Sequence, residues 1–170
     1  MNFYIPGFGS GPDSQTLKRY QEHIDISVIT YDSKDPIGSL ESMVYYLLDK
    51  CPSDDHINIF ASSLGGWYAE MVASAIPCSL FLYNPSLDPK TSLAKYGMAK
   101  EVLEQYTKVD SLVTGNRVVC ISTDDEVVDP KPAIELYKDY NVILSSGGHR
   151  MTDANINKLI TAFKYEQTQL

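Results

Sequence analysis

The sequence predicts a single α/β domain, residues 1–170, with about six mostly parallel strands and helices on both faces of the sheet. Its 170 residues are enough for one domain with its own core but marginal for two. A content of 44% hydrophobic and 21% charged residues is ordinary for a globular protein and excludes disorder, coiled coil and collagen. Short apolar runs alternate with amphipathic segments, which is typical of a parallel sheet connected by helices.

Each element follows from its local pattern. Strands are predicted where apolar runs are short and rich in β-branched or aromatic residues, at 2–5, 26–31, 57–60, 79–83, 117–122 and 142–145. Helices are predicted where apolar residues recur at helical spacing, at 13–21, 36–49, 64–75, 131–140 and 152–165. Ligands of such sheets bind beyond the carboxyl ends of the strands, so the loops after strands are where chemistry is expected.

Residues 84–116 depart from this alternation. They separate two strands by more than 30 residues, with helical stretches around 92–105, whereas a connection between a strand and a helix is normally far shorter. One interpretation is a lid or cap insertion. The other is an ordinary crossover helix with long flanking loops.

Charge and cysteine content limit the partners and the compartment. A net charge of -8 repels phosphate backbones and anionic lipids, so neither nucleic acid nor a membrane is expected as a partner. The three cysteines, Cys51, Cys78 and Cys120, are odd in number and irregularly spaced, which favours reduced thiols in the cytoplasm. No signal peptide and no transmembrane helix are predicted.

The strongest chemical signal lies between the third predicted strand and the helix that follows it. A turn this tight strains its central residue and requires small residues two positions before and two after it. Around Ser63 those neighbours are Ala61 and Gly65, whereas Ser62 is followed two positions later by the bulky Leu64. Sterics therefore select Ser63, in a pattern that matches the nucleophile elbow of α/β-hydrolases. The alternative is a helix start that these serines merely cap.

At that position Ser63 lies at the N-terminus of a helix, whose dipole favours developing negative charge. The backbone N–H of Leu64 points at the same place and is a candidate oxyanion donor. A serine hydroxyl also needs a base to remove its proton. Of the three histidines, only His149 directly follows a strand's carboxyl end, which makes it the candidate base.

The base in turn needs an acid to orient it. The loop after the fifth predicted strand, residues 123–130, offers four carboxylates at the correct edge of the sheet. The resulting order of serine, acid and histidine is that of α/β-hydrolases. Spacing alone leaves Asp124, Asp125 and Asp129 as alternatives.

The glycine-rich loop after the first strand, residues 7–12, has two interpretations. It can present the N–H of Phe8 as a second oxyanion donor. It can instead be a phosphate cradle, with Asp32 as a ribose ligand. Pro12 stands where the dinucleotide pattern requires its last glycine and has no N–H to offer, so no nucleotide cofactor is predicted. No metal site is predicted either, because the histidines lie far apart.

Five motifs in order along nearly the whole chain point to one family. They are the opening loop at 4–12, the turn at 61–66, Asn84 with Pro85, the acidic stretch at 125–129, and Gly147, Gly148 and His149. This combination resembles the small YqiA-like esterases, compact members of the α/β-hydrolase superfamily. Three positions differ from the family pattern: Pro6 replaces a histidine, Asp124 replaces a glycine, and one residue is missing before His149.

The resemblance implies Ser63 as nucleophile, Asp125 as orienting acid and His149 as base. It also implies an esterase or thioesterase that cleaves small acyl esters or thioesters through an acyl-enzyme and without a cofactor. The altered first loop and the shortened histidine loop motivate an alternative. In it, the protein is a catalytically silent α/β-hydrolase scaffold with a binding or regulatory role.

Overall fold

A computed structural model describes residues 1–51 and 56–169 of the chain. Its strands are β1 (Asn2–Ile5), β2 (Ser27–Val28), β3 (Asn58–Ser62), β4 (Ser79–Tyr83), β5 (Arg117–Ser122) and β6 (Asn141–Ser145). They form one sheet in the order β2-β1-β3-β4-β5-β6, and every neighbouring pair is parallel. The predicted α/β architecture is confirmed, and the described sheet is wholly parallel.

The helices connect these strands. They are α1 (Gln15–Gln21), α2 (Pro36–Lys50), α3 (Leu64–Ala75), α4 (Pro89–Ala94), α5 (Lys100–Leu103), α6 (Pro130–Leu136) and α7 (Asp153–Gln167). Most of these helices are capped by a side chain that accepts a hydrogen bond from a backbone N–H of the first turn. Three of them begin on a proline, whose missing N–H costs nothing at that position. Every described helix is too short or too polar to cross a bilayer.

The sheet separates two hydrophobic clusters. Alternate strand residues point to opposite faces, so Phe60 and Phe81 pack with α1 and α7, while Ile59 and Leu80 pack with α2, α3 and α6. Burial on both faces explains why the central strands read as continuous apolar runs in the sequence. The prediction of helices on both faces is confirmed.

A buried ion pair joins α3 to β5. Arg117 and Glu70 lie 2.8 Å apart with side chains only 1% and 2% exposed. The hydroxyl of Tyr137 donates a further hydrogen bond to Glu70, and the carbonyls of Val113 and Gly115 accept from Arg117. Removing either charge would leave the other buried without a partner, which is strongly destabilising. The pair therefore fixes α3, which begins just after Ser63, relative to the strand that leads to the acidic loop.

Two predicted elements extend further than the elements observed. The strand predicted at 26–31 is only two residues long, and one further bond beyond it joins the Ile29 N–H to the Tyr4 carbonyl. The helix predicted to reach residue 140 ends at Leu136. The helical stretches predicted around 92–105 are two short helices, α4 and α5, with Gly97 between them at a φ of 72° that a right-handed helix does not allow.

The close packing of α3 against the end of β1 predicts the effect of Gly65→Ala. A Cβ at this position would collide with the carbonyl oxygen of Ile5 and lie 2.6 Å from that of Pro6. We expect the free energy of unfolding, measured by urea denaturation, to fall by about 1–3 kcal/mol. Gly11→Ala is the control, because nothing lies within 4 Å of its Cβ, and it should change stability by less than about 0.5 kcal/mol. Equal stability of the two variants would contradict this packing.

Candidate active site

Ser63 occupies a strained turn between β3 and α3. Its φ of 51° and ψ of -121° lie in a region that non-glycine residues rarely adopt. Hydrogen bonds hold the turn: the Ser63 N–H donates to the Tyr83 carbonyl, and the Ser63 carbonyl accepts from the N–H groups of Gly66 and Ser86. This is the tight turn that the small residues on either side of Ser63 predict, and it presents the side chain at the carboxyl edge of the sheet.

His149 meets Ser63 at that edge. Its Nε2 lies 3.0 Å from Ser63 Oγ, and its Nδ1 lies 2.8 Å from Oδ2 of Asp125. The His149 side chain is 18% exposed and that of Asp125 only 1%. An ionised carboxylate accepts hydrogen bonds and cannot donate them, so the ring proton belongs on Nδ1, and Nε2 is left to accept from the serine hydroxyl. The three predicted groups form one continuous hydrogen-bonded chain.

Of the three carboxylates that spacing left open, only Asp125 contacts the imidazole ring. Its Oδ1 also accepts the N–H groups of Val127 and Val128, at 2.8 and 2.9 Å, which fix the carboxylate. Asp129 caps α6 instead, through the N–H of Lys131. Asp124 binds backbone N–H groups of the histidine loop. The geometry thus brings together the same three residues that the resemblance implies.

Burial and hydrogen bonding act in opposite directions on Asp125. Burial alone would raise the pKa of the carboxyl, but the hydrogen bonds from His149, Val128 and Val127 outweigh it, so the pKa of Asp125 lies below its ordinary value. The carboxylate is therefore ionised at neutral pH.

The two candidate oxyanion donors lie next to Ser63. A Cβ on Gly7 would be only 3.2 Å from the Cβ of Ser63, so the first loop packs directly against the serine. Leu64 is the first residue of α3, and its N–H has no acceptor within the helix. Within residues 1–51 and 56–169, the N–H of Phe8 has no hydrogen-bond acceptor. Both N–H groups are thus available to an oxyanion.

A cleft of about 1040 Å³ opens over these groups. The segment 84–116 forms one wall through Ser92, Leu93 and Tyr96. At the mouth, the ring of Tyr96 packs against that of Phe8 with centroids 5.2 Å apart. A second, more apolar cavity of about 610 Å³ lies between this segment and α6 and shares Ser86, Ser92, Val127 and Val128 with the cleft. That 84–116 acts as a lid or cap stays a prediction.

Asn84 has a structural role that its place in the motif with Pro85 does not predict. Asn84 follows β4 with a φ of 43° and is 3% exposed. Its Oδ1 accepts the Ser122 N–H at 2.7 Å, and its Nδ2 donates to the Gly148 carbonyl at 3.1 Å. Tyr83 donates to that same carbonyl at 2.9 Å. The signal that could have found this residue is a polar side chain at a strand's carboxyl end, which is where ligands and active sites lie in such sheets.

Two cysteines and a second histidine lie outside this hydrogen-bonded chain. Burial raises the pKa of the Cys78 thiol to about 12 and that of the Cys120 thiol to about 11, so both stay protonated at neutral pH. His56 lies at the opposite edge of the sheet, with Nε2 2.9 Å from Ser79 Oγ. Among the described residues, no group of three or more His, Cys, Asp or Glu side chains is placed to hold a metal ion.

A parallel sheet with a strained serine turn after β3 and a histidine after its last strand defines the α/β-hydrolase fold. Solved structures share it. Alpha/beta hydrolase domain-containing protein 10 from mouse has a TM-score of 0.79 at 20% identity, over 99% of this chain and 89% of that one. Est1E from Butyrivibrio proteoclasticus has a TM-score of 0.76 at 15% identity, over 99% and 88%. The predicted fold is confirmed.

Residues 1–164 match the group described as Uncharacterised protein family (UPF0227), and the chain belongs to that family. A UPF0227 protein from Serratia proteamaculans is 27% identical over 155 residues, which cover 85% of this chain and 86% of the relative. The family and the fold together bear out the resemblance drawn from the five motifs.

The lowered pKa of Asp125 predicts a pH-dependent effect of Asp125→Asn. Because the native pKa lies below the unfolded value, the ionised carboxylate stabilises the fold above about pH 5, and this contribution is lost as pH falls through the native pKa. The variant should therefore be less stable than wild type at pH 7, and the difference should shrink at pH 3. Urea unfolding at both pH values measures it.

Asp139→Asn, at an exposed position after α6, is the control for this experiment and should match wild type at both pH values. A stability deficit of Asp125→Asn that is equal at pH 7 and pH 3 would contradict the electrostatic account of Asp125.

Proposed function

We propose that this protein is a serine hydrolase that cleaves small-molecule acyl esters or thioesters. The observation that carries the proposal is the unbroken hydrogen-bonded chain from Ser63 through His149 to Asp125 at the carboxyl edge of a parallel sheet. Esterases are found on this fold, since a solved structure similar to this chain is that of the Pyrococcus furiosus esterase PF2001, but a fold alone does not determine an activity. The proposal therefore rests on the site.

In the first half of the reaction, Ser63 Oγ attacks the acyl carbonyl carbon while His149 Nε2 takes the hydroxyl proton. Asp125 stabilises the imidazolium. The N–H groups of Phe8 and Leu64 hold the oxyanion, aided by the positive end of the α3 dipole. The tetrahedral intermediate collapses, the alcohol or thiol leaves with the proton from His149, and the acyl group stays on Ser63.

In the second half, water replaces the leaving group. His149 takes a proton from the water as its oxygen attacks the acyl-enzyme, and the second intermediate expels Ser63 Oγ, which regains that proton. The net reaction consumes one water and releases an acid and an alcohol or thiol. It balances without an electron carrier, so no cofactor is part of the proposal.

The cleft supports a small molecule as substrate. It is open to solvent and lined by polar groups of the first loop as well as by Phe8, Leu93 and Tyr96. The net charge of -8 gives no reason to add a nucleic acid or an anionic membrane as a partner. The catalytically silent scaffold remains the alternative, and it differs from the hydrolase in predicting ligand binding without turnover.

Hydrolysis of p-nitrophenyl acetate and of a short acyl thioester tests the proposal. Ser63→Ala should lower kcat by at least about three orders of magnitude, because the reaction loses its nucleophile. Ser62→Ala is the matched control: the neighbouring hydroxyl contacts Tyr4 Oη at 3.0 Å, and its loss should cost about tenfold or less. Equal turnover by Ser63→Ala and wild type would overturn the assignment, and no turnover by folded wild type would favour the silent scaffold.

A further inference from the structure

The loop that carries His149 is held by a carboxylate outside the three-residue chain. Asp124 Oδ1 accepts the backbone N–H groups of Gly147 and Gly148, at 3.0 and 3.1 Å. Its Oδ2 lies 3.2 Å from the Gly147 nitrogen, and the hydroxyl of Ser122 donates to Oδ1 at 3.0 Å. Asp124 thus accepts hydrogen bonds from two successive N–H groups of the loop and does not contact the imidazole.

Glu126 extends this contact by one residue. Its Oε2 accepts the backbone N–H of His149 at 2.9 Å. The residues on either side of Asp125 therefore hold three consecutive N–H groups, while Asp125 itself holds the ring. On the other side of the loop, the Gly148 carbonyl accepts from Tyr83 and Asn84.

This loop needs external support. Gly147 and Gly148 have φ values of 120° and 73°, and as glycines they contribute no side chains that could pack. A pair of glycines loses more conformational freedom on ordering than any other pair of residues. Without hydrogen bonds to the rest of the protein, this segment would allow the ring of His149 to occupy many positions. Hydrogen bonds to an ionised acceptor are about twice as strong as neutral ones. The N–H groups of Gly148 and Gly147 and the hydroxyl of Ser122 lower the pKa of Asp124, which keeps it ionised.

We propose that Asp124 is a positioning residue: its carboxylate fixes the backbone of Gly147 and Gly148 and so places His149 Nε2 within reach of Ser63 Oγ. The kinetic consequence rests on the proposed hydrolase activity. The structural consequence, a fixed imidazole, does not.

The test compares Asp124→Ala with Asp124→Asn. Alanine removes both acceptor oxygens, whereas asparagine keeps one that can still accept from the two glycines. A displacement of a catalytic group by about 1 Å can cost a hundredfold in rate, so we expect kcat for p-nitrophenyl acetate to fall by about ten- to a hundredfold in Asp124→Ala, with KM nearly unchanged. Asp124→Asn should recover most of that loss. Asp124 is exposed, so both variants should fold, which circular dichroism checks.

Nuclear magnetic resonance supplies a readout that needs no turnover. In Asp124→Ala, the amides of Gly147 and Gly148 should exchange faster with solvent, and the Nδ1 proton of His149 should broaden or vanish. In the control Asp139→Ala both signals should stay as in wild type. In Asp124→Asn, whose neutral oxygen binds the two N–H groups more weakly, they should lie closer to wild type than to Asp124→Ala.

Unchanged kcat and unchanged signals in Asp124→Ala would overturn the positioning role. So would an Asp124→Asn variant as impaired as alanine, because it would show that the acceptor geometry is not what matters. If wild type itself shows no turnover, the proposed activity fails, and the resonance signals alone decide whether Asp124 fixes the imidazole.

Discussion

The strained turn at Ser63 is the constraint on which the rest of the site depends. A non-glycine residue at positive φ costs about 1–3 kcal/mol and persists only where its surroundings hold it. At the end of β4, the Tyr83 carbonyl accepts the N–H of Ser63, and the Ser63 carbonyl accepts two further N–H groups. Because Gly65 has no side chain, α3 can pack against the backbone carbonyls at the end of β1. The same contacts bring the first loop against the serine and place both candidate oxyanion donors beside it.

The other parts of the site reach Ser63 because all described strands are parallel. The carboxyl ends of β3, β5 and β6 lie on one edge, so Ser63, Asp125 and His149, which are far apart in the chain, come within hydrogen-bond distance. The buried pair of Arg117 and Glu70 ties α3 to β5 beneath them. Asp124 and Asn84 then hold the histidine loop from two sides, and the rigidity of the site thus comes from the sheet and from polar contacts at its edge.

Local constraints made much of this predictable. The alternation of strands and helices, the small residues around Ser63 and the position of His149 after a strand all depend on residues close together in sequence. The choice among the carboxylates does not depend on residues close together in sequence. Which of Asp124, Asp125 and Asp129 faces the ring depends on the path of the loop relative to β6, and spacing carries no information about it.

Long-range contacts also explain what the sequence reasoning missed. The path of 84–116 is set by contacts with distant elements. The Trp67 indole N–H donates to the Thr107 carbonyl at 2.7 Å, and the Tyr106 hydroxyl donates to the Ser33 carbonyl at 2.8 Å.

The sheet and the polar contacts at its carboxyl edge should together activate Ser63 as a nucleophile. The mass of the intact protein after treatment with a fluorophosphonate tests this activation most directly. We expect one adduct on wild type and none on Ser63→Ala. No adduct on folded wild type, or an equal adduct on the variant, would contradict it.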